Sequence, residues 1–464
     1  MPKPTTPNWK RAFKEADIRG RYPEEIDDEL AYLVARAFVA EYEYARVIVA
    51  RDMRESSPAL HAAFVKGVQD AGADVIDIGL VHSPLLYYVS ATDNLPGVVI
   101  TASHSPAEFN GLKLVHPGAV PLTEKSGLGA IRKRVLKGAF PEPTTRGKKR
   151  SKDPRKAYQK FVLKRINEKS CEGLRVAADI GNGMAGVLMP LLEEKLPVDF
   201  NLLFPEPDGT FPNRGSDPTL RKHQRALADA LESGEYDLGI AFDGDADRIA
   251  FLDERGRFVN SAVIGAIIAR HFLAKYPGEK HVFTNLTSRA YEETIREHGG
   301  TPVRARVGHS FIKETMRKED ARFGCEHSGH YYFKDYFYTD SVTLTLLLVL
   351  EAFGPARAEG QRFSQFVAPL QRYYQLEDTV IPVTNKKRCL AEVEAYLKNL
   401  APEKLTKFDG FFVDFGDVWG AVKPSVTEHA LKVMFEGQTR AIAKEQQDEV
   451  VRFIRSIAGE DARE

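Results

Sequence analysis

The hydrophobic positions of this chain recur in two alternating patterns, short β-branched runs and longer segments with helical spacing. The short runs predict strands at residues 46–50, 75–78, 97–101, 111–115, 175–179, 198–203, 238–242, 281–284 and 302–306. The longer segments predict helices at residues 58–70, 187–195, 219–232, 262–275 and 289–298. Regular alternation of this kind is typical of α/β units with largely parallel strands.

The alternation is interrupted at a Pro-rich, basic stretch at 141–156 and at a turn-rich stretch at 253–256, and its character changes from about residue 371. Beyond that point we predict strands at 379–383, 411–414 and 431–435, and helices at 387–400 and up to 457. The pattern therefore predicts an α/β protein of three similar mixed α/β domains plus a smaller C-terminal α+β domain. The predicted boundaries are 1–152, 153–254, 255–369 and 370–464.

Composition excludes several classes of protein. The 464 residues are 43% hydrophobic and 28% charged, which is typical of globular chains. The 65 basic and 65 acidic side chains balance, which argues against a nucleic-acid partner, so we interpret the basic cluster at 147–152 as a solvated linker. The most apolar run, 341–353, is shorter than the ~20 residues that span a bilayer, which predicts no membrane partner.

Cysteine usage and the N-terminus predict a cytoplasmic protein. The three cysteines are scattered and form no Cys-x-x-Cys pair, which indicates a reducing compartment. The first residues have no apolar core of the kind that a secretory signal needs.

The first candidate site is the polar loop that follows the predicted strand at 97–101. In open α/β sheets, ligands collect at the carboxyl ends of strands. Ser103 is the candidate nucleophile or phosphate carrier, with His104 beside it and Lys113 on the returning strand. Taken alone, the loop also fits an ordinary turn whose small polar side chains satisfy local backbone groups.

The second candidate site is the acidic loop after the strand at 238–242. Asp243, Asp245 and Asp247 repel one another unless a cation neutralises them, and carboxylate oxygens favour Mg²⁺ or Ca²⁺. Arg248 adds a fixed cation that suits a phosphoryl group. An EF-hand is the alternative, since Glu254 falls at the twelfth position, but Arg248 stands where that loop needs Gly and the flanks are strand-like.

Two further segments carry candidate chemistry near residue 320. Glu326 and Ser328 offer adjacent groups of the kind that bind vicinal sugar hydroxyls, and His330 can exchange a proton near neutral pH. A turn with a satisfied histidine would look the same. Gly308 and His309 open a predicted helix, whose N-terminus favours an anion.

The last candidate lies in the predicted C-terminal domain. Lys423, Ser425 and Thr427 place one cation and two hydroxyls in a short loop between strand-like runs. Such a cluster can hold a phosphate, although a β-hairpin turn is the ordinary alternative.

Taken in this order, the segments resemble the α-D-phosphohexomutase superfamily, and most closely its phosphomannomutase/phosphoglucomutase branch. The resemblance covers nearly the whole chain. Besides the sites above, it rests on motifs at 13–20, 51–54, 179–183 and 207–213.

The resemblance implies four domains around a central cleft and a reaction that interconverts hexose 1- and 6-phosphates, of mannose and also of glucose. Ser103 would carry a phosphoryl group, and one Mg²⁺ would be held by the three aspartates and a phosphoserine oxygen. A hexose 1,6-bisphosphate would be intermediate and activator. The protein would act as a monomer or homodimer on hexose phosphates.

The resemblance also implies roles for side chains around the transferring group. Arg19, Lys113, His309 and His330 would surround it, with Lys113 and His330 as general acid and base in unassigned order. The loop at 423–427 would hold the distal phosphate in both orientations of the bisphosphate.

The sequence departs from the family pattern at several positions. Ser105 replaces the usual Asn, Ala16 a common Tyr, Val426 an Asn and His429 a Pro. Lys423 replaces the usual Arg and lacks the planar two-point contact that Arg makes with phosphate, so we hypothesise a weaker or rearranged distal phosphate site.

Three alternatives to this function stay open from the sequence. The nearest is a phosphoglucosamine mutase, which usually carries Gln where this chain has His327. The second is a non-catalytic sugar-phosphate-binding relative, against which the retained Ser103, aspartates and His330 argue. The third is a serine hydrolase, against which the absence of a Gly-x-Ser-x-Gly turn at Ser103 argues.

Overall fold

The structure, a computed structural model, describes residues 9–138, 140–141, 145–425 and 429–458. The candidate Thr427 and the departing Val426 lie outside the described residues. The chain divides into two compact units, of which unit 1 comprises Met1–Val259 and Ser328–Phe366, and unit 2 comprises Asn260–His327 and Val367–Glu464.

The first part of unit 1 is a mixed α/β layer structure. Its strands are β1 (Ile18–Arg21), β2 (Arg46–Arg51), β3 (Asp74–Leu80), β4 (Gly97–Ile100), β5 (Phe109–His116), β6 (Val120–Pro121) and β7 (Lys149–Ser151). Its helices are α1 (Trp9–Ala12), α2 (Asp28–Tyr42), α3 (Ser57–Asp70), α4 (Ser83–Asp93), α5 (Gly129–Lys137) and α6 (Arg155–Leu163). The strand order is β1-β5-β4-β2-β3-β7, with β6 beside β5.

The predicted alternation is confirmed in this sheet, with one correction. β2 runs parallel to both β3 and β4, and its central residues Val47, Ile48 and Val49 are fully buried. The basic segment that we interpreted as a linker contains β7, which pairs in parallel with β3. Lys149 in β7 forms an ion pair of 2.7 Å with Asp77 of β3, so part of the basic charge is paired within this sheet.

The second part of unit 1 has strands β8 (Leu174–Asp179), β9 (Val198–Leu203), β10 (Leu238–Phe242), β11 (Ile249–Asp253) and β12 (Phe258–Val259), with helices α7 (Ala185–Glu193) and α8 (Arg225–Leu231). The strand order is β12-β11-β10-β8-β9. β8 is parallel to β9 and β10, whereas β11 is antiparallel to β10. The acidic loop therefore joins two strands, which excludes the helix-flanked EF-hand.

The helix predicted at 219–232 is shorter than expected because side-chain hydrogen bonds compete with its first turn. The carboxylate of Asp217 accepts bonds from the N–H of Thr219 at 3.0 Å and from its hydroxyl at 2.7 Å. Such a local turn stabilises a non-helical start. α8 accordingly begins at Arg225.

The middle of the chain supplies elements to both units. Unit 2 begins with α9 (Ser261–Lys275), β13 (Lys280–Thr284), α10 (Arg289–Glu297), β14 (Thr301–Ala305), α11 (His309–Glu319) and β15 (Phe323–Cys325), in which β13 runs parallel to β14 and to β15. The chain continues with the antiparallel pair β16 (Tyr331–Phe333) and β17 (Thr339–Asp340), then α12 (Val342–Ala358) and α13 (Phe363–Val367). The apolar run at 341–353 lies mostly in α12, and within the described residues no helix is long and apolar enough to span a membrane.

The C-terminal part of unit 2 has strands β18 (Tyr374–Gln375), β19 (Thr379–Pro382), β20 (Lys404–Lys407), β21 (Phe411–Asp414), β22 (Val418–Pro424) and β23 (Ala430–Gly437), with helices α14 (Lys386–Asn399) and α15 (Arg440–Ile457). Its antiparallel sheet has the order β18-β23-β22-β21-β20, with β19 beside β23. Buried residues of both helices, such as Val393 and Val450, pack in one core with Val422 and Phe435 of the sheet. Lys423, which we predicted in a loop, lies in β22 opposite Lys432.

Candidate active site

Two loops of unit 1, each of which follows a strand, meet through hydrogen bonds of one serine. The loop after β4 carries Ser103, and the loop after β10 carries Asp243. The Ser103 Oγ donates a hydrogen bond of 2.8 Å to the Asp243 Oδ2. The structure thus brings together the first and second candidate sites of the sequence.

Ser103 adopts a constrained backbone conformation. Its φ is +50°, in the left-handed region that non-glycine residues seldom occupy, and only 2% of the residue is exposed. Its N–H donates to the Thr101 Oγ1 at 3.0 Å, and its Oγ lies 3.3 Å from the His104 Nδ1. Sparsely populated backbone conformations of this kind cluster at functional sites, where surrounding contacts maintain them.

The three aspartates after β10 form a compact buried group. Ligand oxygens of Asp243, Asp245 and Asp247 all lie within 4.8 Å of one another. Burial and the neighbouring charges of Asp247 and Asp245 raise the pKa of Asp243 well above its ordinary value. Two backbone groups of the same loop also contact Asp243: the N–H groups of Asp247 and Arg248 donate hydrogen bonds to its Oδ1 at 2.9 and 3.0 Å.

This group fits a divalent cation. Carboxylate oxygens are the hard ligands that Mg²⁺ prefers, and crowded buried carboxylates are stabilised by a positive ion between them. Asp245 Oδ1 is buried and, among the described residues, accepts no hydrogen bond. A buried acceptor left without a partner is costly unless a ligand satisfies it. The residues present therefore suit Mg²⁺.

Lys113 lies between two of the aspartates. Its Nζ is 2.6 Å from Asp245 Oδ2 and 2.6 Å from Asp247 Oδ2, and 5% of the residue is exposed. Burial opposes the charged form, but the two carboxylates outweigh it and hold the pKa of Lys113 well above its ordinary value. Lys113 is therefore protonated in this site at neutral pH.

Two histidines contact the serine and aspartate groups of this site. His330 Nε2 lies 3.2 Å from Asp247 Oδ1, and its Nδ1 lies 2.9 Å from Ser328 Oγ. Burial and the guanidinium groups of Arg248 and Arg19 lower the pKa of His104 well below its ordinary value. His104 is consequently a neutral imidazole at neutral pH.

Arg19, in β1, contacts the loop that carries Ser103. It forms an ion pair of 2.5 Å with Asp17 and donates through Nη1 to the Ser105 Oγ at 3.3 Å. Ser105, one of the departures from the family pattern, therefore has a defined contact in this chain.

The sequence interpretation missed side chains that support these loops. Arg54, fully buried, donates to the main-chain oxygens of Ser103 and Ser105 at 2.8 and 2.6 Å. Ser83 Oγ donates to the Asp245 Oδ2 at 2.5 Å. Arg54 could have been found, because it belongs to the motif at 51–54 that directly follows the predicted strand at 46–50. Ser83, next to Pro84 at the start of α4, carries no comparable signal.

The remaining candidates fall into two sets. Ser328 belongs to unit 1 with His330, whereas Gly308, His309 and Glu326 belong to unit 2. Gly308 has a φ of +126° and precedes α11, whose first residue is His309. The Gly308 N–H donates to the Glu326 Oε1 at 3.2 Å, so this helix N-terminus already contacts one carboxylate of its own unit.

Lys423 is a buried, paired cation of unit 2. Its Nζ lies 3.0 Å from Asp409 Oδ2, which also accepts the N–H of Val307 at 2.9 Å. Burial lowers the pKa of Lys423, and the pairing with Asp409 offsets this only in part. Ser425 donates its N–H to the Ala430 carbonyl at 2.9 Å, and its own carbonyl accepts from the Lys386 Nζ at 2.8 Å.

Comparison with known protein families covers nearly the whole chain. Residues 10–142, 156–256 and 260–373 match the phosphoglucomutase/phosphomannomutase alpha/beta/alpha domains I, II and III, and residues 380–453 match the C-terminal domain of the same family. These four matches confirm the predicted fold class.

Individual relatives agree with the family matches. The "Phosphohexose mutases" protein of Xanthomonas campestris pv. campestris is 36% identical over 431 residues, which are 92% of this chain and 94% of that protein. A "Phosphomannomutase" of Salmonella montevideo is 34% identical over 437 residues, again 92% of this chain and 94% of the relative. A phosphoglucomutase/phosphomannomutase family structure from Burkholderia thailandensis has a TM-score of 0.88 at 26% identity, covering 97% of this chain and 99% of that one.

The fold and these relatives define a class of isomerase, the hexose-phosphate mutases. The chain belongs to the phosphoglucomutase/phosphomannomutase family and is a mutase of that family.

Proposed function

We propose that this mutase interconverts the 1- and 6-phosphates of mannose and of glucose, with Ser103 as the phosphoryl carrier. One observation carries the proposal: the Ser103 Oγ lies 2.8 Å from a carboxylate of the three-aspartate group. Phosphoryl transfer depends on positioning and on neutralising charge. The relatives named phosphomannomutase and phosphohexose mutase support the substrate class.

In the proposed reaction, the free hydroxyl oxygen of a hexose phosphate forms a bond to the phosphorus on Ser103. The Oγ–P bond breaks, the serine Oγ takes a proton from Lys113, and the hydroxyl proton of the sugar moves to a nearby base, for which His330 is the candidate. The hexose 1,6-bisphosphate then presents its other phosphate, which returns to Ser103. The imidazole of His104 lies beside the Oγ, where it can orient the serine.

Lys113 is the candidate acid, because its two ion pairs keep it protonated until the leaving serine oxygen takes the proton. Asp243, Asp245 and Asp247, with the phosphoserine oxygen, would hold Mg²⁺. When bound, that ion supplies the positive charge that phosphoryl transfer needs.

Substrate contacts follow the same scheme. Glu326 and Ser328 would bind sugar hydroxyls, and Arg19 and Arg248 would bind the phosphoryl group near Ser103. The distal phosphate would be bound by Lys423, Ser425 and Thr427. His309 would lie near the transferring group, and Gly308 would contact an anionic group of the substrate at the N-terminus of α11. We propose four domains with the boundaries predicted above, a cytoplasmic location, and a monomer or homodimer that uses hexose 1,6-bisphosphate as activator.

A coupled assay with mannose, glucose and glucosamine 1-phosphates tests this function. We expect turnover of the first two substrates, a requirement for Mg²⁺, and activation by the bisphosphate. The matched control is Ser103→Ala, which should be inactive on all three. Equal turnover of glucosamine 1-phosphate would contradict the proposed substrate class, and full activity of the alanine variant would contradict the carrier.

A further inference from the structure

The motif at 51–54 contains a buried ion pair, and its arginine contacts the loop that carries Ser103. Asp52 and Arg54 are 1% and 0% exposed, and the Arg54 Nε lies 3.2 Å from Asp52 Oδ2. Asp52 Oδ1 also accepts the Arg54 N–H at 3.0 Å and the Ser57 hydroxyl at 2.5 Å. The carboxylate thus fixes the orientation of the guanidinium. No part of the reaction described above uses this pair.

The two terminal nitrogens of Arg54 contact both ends of the Ser103 loop. Nη2 donates to the carbonyls of Ser103 and Ser105 at 2.8 and 2.6 Å. Nη1 donates to the carbonyls of Pro106 and Phe109 at 2.6 and 2.9 Å. A planar guanidinium can make these contacts simultaneously because its donors diverge in a fixed fork.

The carbonyl of Ser103 also lies close to the aspartate loop. A Cβ on Gly244, in that loop, would lie only 2.6 Å from this oxygen. Ser103 has its φ of +50° where Arg54 and the aspartate loop both contact its carbonyl. These contacts on the backbone favour the conformation in which the side chain points towards Asp243.

A third loop packs on the same guanidinium. The Phe211 ring centroid lies 5.1 Å from the Arg54 Cζ, and a Cβ on Gly244 would lie 3.2 Å from the Phe211 ring. A Cβ on Gly209 would lie 2.5 Å from the Arg54 Cα. The motif at 207–213, which the proposed reaction does not use either, therefore connects Arg54 with the aspartate loop.

We propose that Arg54 is a positioning residue for phosphoryl transfer. Through main-chain carbonyls, it holds Ser103 in the left-handed conformation that directs the Oγ at the aspartate group. This inference rests on the proposed function, since it assigns the geometry of the same serine. Arg54 does not itself touch the transferring group.

The variant Arg54→Lys tests the inference, because lysine keeps the charge opposite Asp52 but cannot reach all four carbonyls. We expect kcat to fall by about 10²-fold, as misplacement of a reacting group by about 1 Å does, while KM stays within about threefold. Val34→Ala is the matched control, since it weakens the core of the same unit at a fully buried position in α2. Its kcat should equal that of the parent at a temperature well below both melting transitions.

An Arg54→Lys variant with the kcat of the Val34→Ala control would overturn the inference. If Arg54→Lys does not fold, Asp52→Asn takes its place, because it keeps the shape of the side chain and loosens only the guanidinium. We expect about a tenfold fall in kcat from that variant at unchanged KM, since one charge-assisted contact is lost. An unchanged kcat there would equally overturn the inference.

A crystal structure of Arg54→Lys separates this inference from the proposed function. We expect the Ser103 φ to leave the left-handed region and its Oγ to leave hydrogen-bond distance of Asp243. Retention of both features would refute the role of Arg54 even in an active enzyme. If the parent protein turns over no hexose phosphate, the proposed function fails, and the same structure still decides whether Arg54 holds Ser103.

Discussion

Lys113 in unit 1 and Lys423 in unit 2 are both buried against aspartate, but their pKa values shift in opposite directions. Lys113 contacts two carboxylates, and its pKa is raised well above the ordinary value. Lys423 forms an ion pair with Asp409, and burial lowers its pKa. The carboxylate of Asp409 is moreover shared with the N–H of Val307. The balance between burial and nearby carboxylates therefore decides the direction of each shift.

The difference matches the proposed roles. Lys113 belongs to a group with several charges of both signs, whose balance changes when a divalent ion binds. Burial lowers the pKa of Lys423, so an added anion such as a phosphate would stabilise its ammonium form. Replacing each lysine should therefore affect different quantities.

The largest expected effect comes from Lys113→Met. Removing the ammonium leaves the aspartates without their nearest cation, and we expect kcat/KM to fall by about 10²–10⁴-fold. Thermal unfolding should show a larger stabilisation by Mg²⁺ than in the parent, because the ion then supplies the missing positive charge. The control is Lys66→Met, which removes an exposed lysine paired with Asp70 at 2.8 Å and should change neither quantity measurably. Equal Mg²⁺ stabilisation of variant and parent would contradict this account of Lys113.

Asp245→Asn tests the proposed metal ligands, and we expect a loss of activity similar to that of Lys113→Met. Because an amide is a weaker ligand than a carboxylate, we expect about a 10²-fold loss of kcat/KM at saturating Mg²⁺. The Mg²⁺ concentration for half-maximal activity should also rise, and removal of the ion by a chelator should abolish parent activity reversibly. Parent-like Mg²⁺ dependence in the variant would place the ion elsewhere.

Lys423→Met should act on binding. We expect KM for a hexose 1-phosphate to rise about tenfold, which corresponds to a loss of roughly 1.4 kcal/mol of binding free energy for one charged contact. We expect kcat to stay within about threefold of the parent. Because the change also leaves Asp409 buried without its lysine, the matched variant is the double change Lys423→Met with Asp409→Asn. That variant should regain thermal stability and keep the high KM. A normal KM in both would remove Lys423 from the distal phosphate site.

Lys423→Arg sharpens the same comparison. Arginine adds a planar two-point contact with phosphate, and we expect affinity for hexose 1,6-bisphosphate to improve by about threefold or more. Isothermal titration of Ser103→Ala, which cannot turn the ligand over by the proposed route, measures this directly. Unchanged affinity would mean that other groups already compensate for lysine.

The smallest effect on activity is expected at His281 in unit 2, where a substitution should change stability instead. His281 is fully buried, neither ring nitrogen has a hydrogen-bond partner among the described residues, and burial lowers its pKa to about 4. The unfolded chain, with a histidine pKa of about 6.5, therefore binds the proton first as the pH falls. The contribution of neutral His281 to the free energy of unfolding is complete above about pH 6.5 and is lost as the pH falls towards 4. The loss amounts to about 2 kcal/mol by about pH 5.

His281→Phe removes this group without adding a polar atom. Urea unfolding at about pH 7.5 and about pH 5 should show that the variant loses about 2 kcal/mol less stability than the parent over this interval. Equal losses in both proteins would show that His281 is not protonated on unfolding. Mutase activity should be unchanged at pH 7.5, because His281 lies in β13, outside the proposed site.

The sequence predicted strands better than side-chain partners. β2, β4 and β10 follow from runs of buried apolar residues, and the polar loops after β4 and β10 pointed to Ser103 and the aspartates. Side-chain hydrogen bonds that compete with helix formation were harder to predict. At Asp217, such a bond delays the start of α8.

Charge partners brought together by the fold were harder still. The contact between Ser83 and Asp245 joins residues 162 positions apart, and nothing near Ser83 in the sequence indicates it. The pairing of Lys423 with Asp409 likewise depends on the register of β22, which places this lysine inside a strand rather than in the predicted loop. Sequence motifs located the reactive groups, whereas their electrostatic state required the packed structure.

The most direct test of the central claim is to locate the transferable phosphoryl group. The parent protein would be incubated with Mg²⁺ and a hexose 1,6-bisphosphate labelled in its phosphates, then digested, and the labelled peptide identified by mass spectrometry. The account predicts one labelled phosphate on Ser103, chased off by unlabelled hexose 1-phosphate and absent from Ser103→Ala. A label on another residue, or a mutase active without any labelled serine, would contradict it.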